Sequence, residues 1–271
     1  MSPHPVQTCR PLRYEVLGRL RVTRDDIDLT PAPPKIAKLL ALLVVRAGEP
    51  LPGGRLLAEL WEDRPPRCAV ASLRVYISQL RKLLGAPGEE SPIITAPRGY
   101  ILAVGRDRID AREFELLYRK GRSRFLAADF KAAFSLLREA QGLWRGPVLE
   151  GMSYSMDLTS FAAVAEEKRL NCTELGIDAA LALGRHHEVI EELGGLLVQH
   201  PLREPFYRQL MIALYRAGRQ GDALGVYRRA REVIRTELGV EPGPPLRSAQ
   251  QAILRADVAR LGVTGAVSFR G

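Results

Sequence analysis

The sequence predicts a mostly α-helical protein whose β structure is confined to its first hundred or so residues, and three observations carry that prediction. Apolar residues recur with the 3.6-residue helical period in three short stretches between Pro34 and Leu84, and again almost without interruption from Asp110 onward. Alternating or short apolar runs, the pattern of strands, occur only at Arg13 to Leu29 and on either side of Pro97-Arg98-Gly99-Tyr100. Finally, the third short helix, Ala69 to Leu84, contains no Asp or Glu at all.

Tyr14, Val16, Leu20, Val22, Ile27 and Leu29 alternate with polar or small residues, which predicts strands covering one side of a core. Pro34 presets the φ of a helix start, Ile36, Leu39, Leu40, Leu43 and Val44 follow the helical period, and Gly48 with Pro50 closes the segment. Gly53, Gly54 and Arg55 lead into Leu56, Leu57, Leu60 and Trp61, a second helix ended by Pro65-Pro66. If Gly53 serves as its cap, the absence of a Ser or Thr there costs about 0.5–1 kcal/mol. The third helix commits Leu73, Ile77, Leu80 and Leu84 to the core. Ile93-Ile94-Thr95 and Tyr100-Ile101-Leu102 then flank a turn as a hairpin. A small sheet, three helices and a terminal hairpin together describe a winged helix-turn-helix.

The acid-free helix is the candidate for chemistry. Its free face holds Ala71, Arg74, Val75, Ser78, Gln79 and Lys82, with Arg81 at the margin. Phosphates take Arg and Lys, base edges take Arg, Gln and Ser, and a thymine methyl takes Val or Ala. A basic face alone is compatible with an ordinary solvated surface, but such a face usually mixes Glu with Lys to gain i,i+4 ion pairs. Lys35, Arg81 and Lys82 are expected to neutralise phosphates, and Arg98 in the turn is expected at the minor groove or its flanking phosphates, with Thr95 beside it. The alternative for Arg98 is a turn arginine covering Tyr100, and Tyr76 is expected to pack rather than contact nucleic acid.

From Asp110 to about Arg260 no strand pattern competes with helix. Asp110 and Glu113 form a capping-box arrangement at the start, and helices are expected at Asp110–Ala127, Asp129–Trp144, Asp157–Leu183, His187–Gln199, Arg203–Ala217, Gln220–Leu238 and Leu246–Leu261. Gly184-Arg185 and Gly218-Arg219 stand thirty-four residues apart, each between two helices, and thirty-four is the tetratricopeptide period. Ala213, Leu214, Tyr215, Ala223, Leu224 and Tyr227 around the second turn supply the small and aromatic residues that let paired helices nest. An irregular helical bundle is the alternative.

Bulk properties agree. The chain has 271 residues, a formal net charge of +9 and a pI near 9.8, which favours a polyanionic partner. The longest purely apolar run, Leu39 to Val45, is too short to span a membrane, and the start lacks an apolar signal region. Cys9, Cys68 and Cys172 are odd in number and widely spread, as expected of reduced cytosolic thiols. Four histidines, His4, His186, His187 and His200, make no zinc-ligand spacing. Neither a phosphate-binding Gly-rich loop nor a Gly-x-Ser-x-Gly elbow occurs, and Glu166-Glu167 and Glu191-Glu192 read as exposed helix faces, so no catalysis, cofactor or metal is expected.

Leu29-Thr30-Pro31, Lys38 to Leu43, Leu56 to Trp61, Leu73 to Gly85 and Thr95 to Tyr100 fall in the order seen in OmpR-type response regulators, and this part of the chain resembles their DNA-binding domain. Arg203 to Leu224 and Leu238 to Leu246 are similar to the bacterial transcriptional activation domain. The two in succession resemble the Streptomyces antibiotic regulatory protein family. The resemblance implies a disordered start at 1–12, an OmpR-type winged-helix DNA-binding domain at 13–106, a tetratricopeptide-like activation domain at 110–258, and a tail at 259–271. It implies a small member without receiver, ATPase or sensor repeats. It further implies a cytoplasmic, nucleoid-associated activator of a secondary-metabolite gene cluster that binds direct repeats in promoter DNA as side-by-side protomers. The partner by resemblance is RNA polymerase, through its sigma factor and the C-terminal domain of its α chain. A repressor or architectural DNA binder of the same fold, or a protein-binding scaffold, are the alternatives. Ser78-Gln79 stands where many relatives carry a basic pair, so phosphate contacts are expected to outweigh direct base readout.

Overall fold

The computed structural model describes residues 11–62, 65–85 and 91–257. His4, Cys9, most of the expected disordered start, the 259–271 tail and the end of the helix expected to reach Leu261 lie outside the described residues. The chain packs as two compact units. The first comprises the described residues of Met1–Leu116 together with Ala140–Arg169, and the second comprises Leu117–Glu139 together with the described residues of Leu170–Gly271. Packing thus assigns to the first unit a segment, 140–169, that the sequence pattern groups with the later helices.

In the first unit, β1 (Arg13–Glu15), β2 (Arg21–Arg24), β3 (Ile27–Asp28) and β6 (Arg108–Ile109) form one sheet in the order β3-β2-β1-β6. β1 runs antiparallel to β2, with Tyr14 opposite Val22, and parallel to β6, with Tyr14 opposite Ile109. Tyr14, Val16, Leu17, Leu20 and Val22 are buried. Ile27 departs from expectation, being 64% exposed. Asp25 and Asp26 both take positive φ, the geometry of a tight two-residue hairpin, and they return β3 along the open edge of the sheet, where Ile27 has no layer above it.

Three helices pack beside this sheet: α1 (Pro34–Val45), α2 (Gly53–Trp61) and α3 (Ala69–Leu84). Pro33 and Pro34 preset the backbone at the start of α1. The N-cap of α2 is Pro52 rather than Gly53: its carbonyl accepts from Leu56 N at 3.0 Å, and no side chain caps the helix. Ile36, Leu39, Leu40, Leu43 and Val44 of α1 are buried, as are Leu56 and Leu60 of α2 and Leu73, Ile77, Leu80 and Leu84 of α3. Each such side chain contributes about 1.5–3 kcal/mol through burial.

The hairpin β4 (Ile93–Ala96) and β5 (Gly99–Leu102) closes the module. Tyr100 and Leu51 exchange backbone hydrogen bonds at 3.0 and 2.9 Å, and Gly48 N donates to Leu102 O at 2.9 Å, which ties the hairpin to the connection between α1 and α2. Gly99 sits at φ +139° with Leu51 O so close that a Cβ would stand 1.8 Å from it, so no other residue fits there.

The remainder is helical: α4 (Asp110–Leu126), α5 (Phe130–Gly142), α6 (Met156–Ala182), α7 (His186–Gln199), α8 (Glu204–Arg216), α9 (Gln220–Leu238) and α10 (Pro244–Leu254). Asp110 does more than open a helix. Its carboxylate, 2% exposed, accepts from Val16 N and Leu17 N at 2.9 Å, from Ala111 N at 2.7 Å and from the Arg145 guanidinium at 3.3 Å. Burial pushes this carboxyl above its ordinary range against the pull of those donors. At the start of α6, Asp157 is held by Arg46 at 3.2 Å and by both Nε and an amino group of Arg55, while its own N–H donates to Glu59. Burial alone would raise the Asp157 carboxyl, but the arginine hydrogen bonds and charges hold it below its usual value.

In the second unit, Gly184 and Gly218 both take φ +76° and end their helices with the same pair of bonds. Arg185 N donates to Ala180 O at 3.0 Å and Arg219 N to Leu214 O at 2.9 Å. Ala128 and Ala256 adopt the same left-handed conformation, followed by Asp129 N to Arg124 O and Asp257 N to Ala252 O. Ala213 and Ala223 are fully buried and Tyr227 nearly so, allowing α8 and α9 to approach closely.

Candidate nucleic-acid interface

α3 divides cleanly into two faces. Its buried ridge, Leu73, Ile77, Leu80 and Leu84, leaves no more than 3% of any side chain exposed, and it packs on α1, α2 and β4. The opposite face exposes Ala71, Arg74, Val75, Ser78, Gln79 and Lys82. Val70, 54% exposed, and Arg67 just ahead of the helix extend this face by a turn. Sequence reasoning omitted both, although Val70 stands four residues before Arg74 and so shares its side of the helix.

The face is electrostatically open. Among the described residues, Arg67, Arg74, Lys82 and Arg98 have no hydrogen-bond or ion-pair partner for their side chains, and α3 has no acid in its first turn and two bases in its last. Arg98 is exposed in the turn between β4 and β5, so the module offers cations from two separate elements.

Two of the expected phosphate ligands have other work. Arg81 Nε donates to Ile93 O at 2.9 Å and an amino group donates to Thr95 Oγ1 at 2.6 Å, which clamps the end of α3 to β4. Lys35 Nζ donates to Leu60 O at 3.0 Å and lies 5.0 Å from the centre of the Trp61 ring. Both correct the sequence expectation: carbonyls at the ends of neighbouring elements engage these cations first. Thr95 is exposed but accepts from Arg81, so it positions the hairpin. Tyr76 stacks on Trp61 at 6.0 Å and 18°, a packing role.

Chemically, a rigid helix with Arg, Ser, Gln and Val on one side and a cationic hairpin turn nearby in the chain can read base edges and grip a phosphate backbone. It has no arrangement for bond chemistry. Among the described residues, no helix is long and apolar enough to cross a membrane.

Comparison with known proteins adds independent findings. The family described as "Transcriptional regulatory protein, C terminal" matches residues 25–102, and the "Bacterial transcriptional activator domain" matches residues 109–254. The chain is 35% identical to the regulatory protein DnrI of Streptomyces peucetius, over 91% of this chain and 93% of that one. It is 37% identical to the transcriptional regulatory protein EmbR of Mycobacterium tuberculosis, over 90% of this chain, and it spans 63% of the length of that relative. The structure of M. tuberculosis EmbR in complex with a low-affinity phosphopeptide superposes with a TM-score of 0.88 at 36% identity, covering 91% of this chain and 66% of the other.

Proposed function

This chain belongs to the Streptomyces antibiotic regulatory protein family of transcriptional regulators, and from that premise we propose that it activates transcription by binding promoter DNA through α3. The observation that carries the reading is the exposed, acid-free face of α3 with its unpartnered Arg74 and Lys82. α3 lies in the major groove, held there by the ridge of Leu73, Ile77 and Leu80. Arg74, Val75, Ser78 and Gln79 face base edges or sugar, and Val70 and Arg67 extend that contact. Lys82 and Arg98 neutralise phosphates, while Arg81, Thr95 and Lys35 keep the hairpin and α2 in register with α3. Few base contacts and many phosphate contacts make affinity steeply salt-dependent.

DNA binding belongs to residues 13–106 and activation to the helices of 110–258, which present the surface for neighbouring protomers on direct repeats and for RNA polymerase, through its sigma factor and the C-terminal domain of its α chain. The regulated genes are a secondary-metabolite cluster, and the protein works in the cytoplasm on the nucleoid. Deleting everything from residue 110 is not a clean test of this division, because Asp110, Arg145 and Asp157 all anchor the first unit. Point substitutions in the full chain serve instead. Footprinting on promoters next to the protein's own gene should give protection in regularly spaced direct repeats. Uniform, sequence-independent coverage would replace the activator reading with an architectural one.

A further inference from the structure

Within the second unit, α4, α6 and α8 enclose a cavity of about 130 Å³ that the transcriptional reading does not use. Its wall is apolar where Phe125, Leu175 and Pro205 line it, and polar where Asp178, Arg208 and Gln209 do. The ionised groups are already matched. Arg208 donates to both carboxylate oxygens of Asp178 at 3.1 and 3.2 Å, and Glu174 is engaged by Arg203.

Gln209 is not matched. It is fully buried, and its Nε2 donates to Glu174 O at 2.8 Å, an acceptor that fixes which end of the amide is which. Its Oε1 is buried without a hydrogen-bond partner. Buried acceptors are nearly always satisfied, so an orphan lining a cavity marks the place of a donor from outside the chain. Size narrows the donor's carrier. A dry cavity of about 150 Å³ in a helical protein accommodates a benzene-sized guest. Charge narrows it again, because an ionised guest would find no unmatched counter-charge beside it.

We propose that this cavity is a binding site for a small, uncharged, largely apolar molecule of one or two rings carrying a single N–H or O–H group, which donates to Gln209 Oε1. Apolar burial against Phe125, Leu175 and Pro205 supplies affinity, and the orphan acceptor supplies selection. Selection of this kind is steep, since an analogue without the donor leaves the acceptor unmet.

The test titrates the full chain by calorimetry with indole and with indene, a carbocycle of nearly the same shape that lacks the N–H. Saturable indole binding, with indene at least fivefold weaker, is expected. Leu175→Trp fills the cavity and should abolish indole binding. Gln209→Met removes the acceptor at similar length and should bring the two affinities together. No saturable indole binding, indene as tight as indole, or undiminished indole binding to the Leu175→Trp variant would each overturn the assignment. Should Gln209→Met fail to fold, the indole and indene comparison on the unaltered chain still decides.

Discussion

Two regions of the first unit use the same residue type in opposite ways. At Asp110 and Asp157, buried carboxylates collect arginines and backbone N–H groups: Arg145 with Val16 and Leu17 N–H at one, Arg46 and Arg55 at the other. On α3 and the β4–β5 turn, Arg74, Lys82 and Arg98 face solvent with no carboxylate near enough to hold them. A cation that meets a buried acid is spent on the fold; one on an acid-free face remains available to a polyanion. The difference lies in where the acids are, since both regions are rich in arginine.

The comparison breaks most visibly at Asp110. Asp110→Ala leaves the N–H groups of Val16 and Leu17 and the Arg145 guanidinium without their shared acceptor, and should cost about 3–5 kcal/mol of stability in denaturant titrations. DNA affinity per folded molecule should be unchanged. The reciprocal substitution, Arg74→Ala, should leave stability within about 0.5 kcal/mol but weaken binding to the footprinted site by about 1–3 kcal/mol, measured by fluorescence anisotropy. If the binding loss is confined to one base position, Arg74 reads sequence. If it is equal on all DNA, Arg74 serves phosphate.

Acid titration sharpens the contrast. Asp157 has its carboxyl held below the usual value, so in the window between its folded and unfolded values the unfolded chain binds the extra proton, and stability falls as pH drops. Asp157→Asn should therefore flatten the decline in unfolding free energy from about pH 5 to about pH 3, an effect of about 1–2 kcal/mol. Asp110 works with the other sign. Its raised carboxyl favours the folded state most below the ordinary value, and that contribution disappears as pH rises through the folded one. Smallest are the single phosphate contacts. Lys82→Ala and Arg98→Ala should each reduce the slope of log affinity against log salt by about 0.9 with no change in sequence preference. Arg81→Ala serves as the contrasting case, because it releases the hairpin from α3 as well as removing a charge.

Legibility in the sequence follows the range of the interactions. The ridge of α3 and the helices after Asp110 are legible because a 3.6-residue period is a local property, and their observed bounds differ from expectation by few residues except at the last helix. The turns at Gly184 and Gly218 are legible through their glycines. The same turn at Ala128 and Ala256 is not, since alanine carries no sign of a positive φ. β6 has two residues and owes its existence to pairing with β1 far away in the chain. Asp110 looks like a helix start because its neighbours are local, whereas its partners Val16 and Leu17 lie 94 and 93 residues away. Likewise Arg55 and Asp157 are 102 residues apart. The candidate interface is readable on α3 because one helix carries it, and is misread at Lys35 and Arg81 because charge shows in a sequence while a carbonyl partner does not.

The central claim is that the exposed face of α3 meets the duplex, and tethered cleavage tests it most directly. Ser78→Cys, in a background with Cys9→Ser and Cys68→Ser, places an iron-EDTA group on that face; Cys172 is buried and does not compete. DNA strand cuts should cluster within a few base pairs inside each protected repeat. An intact footprint with no cutting above that of unlabelled protein would show that another surface holds the DNA.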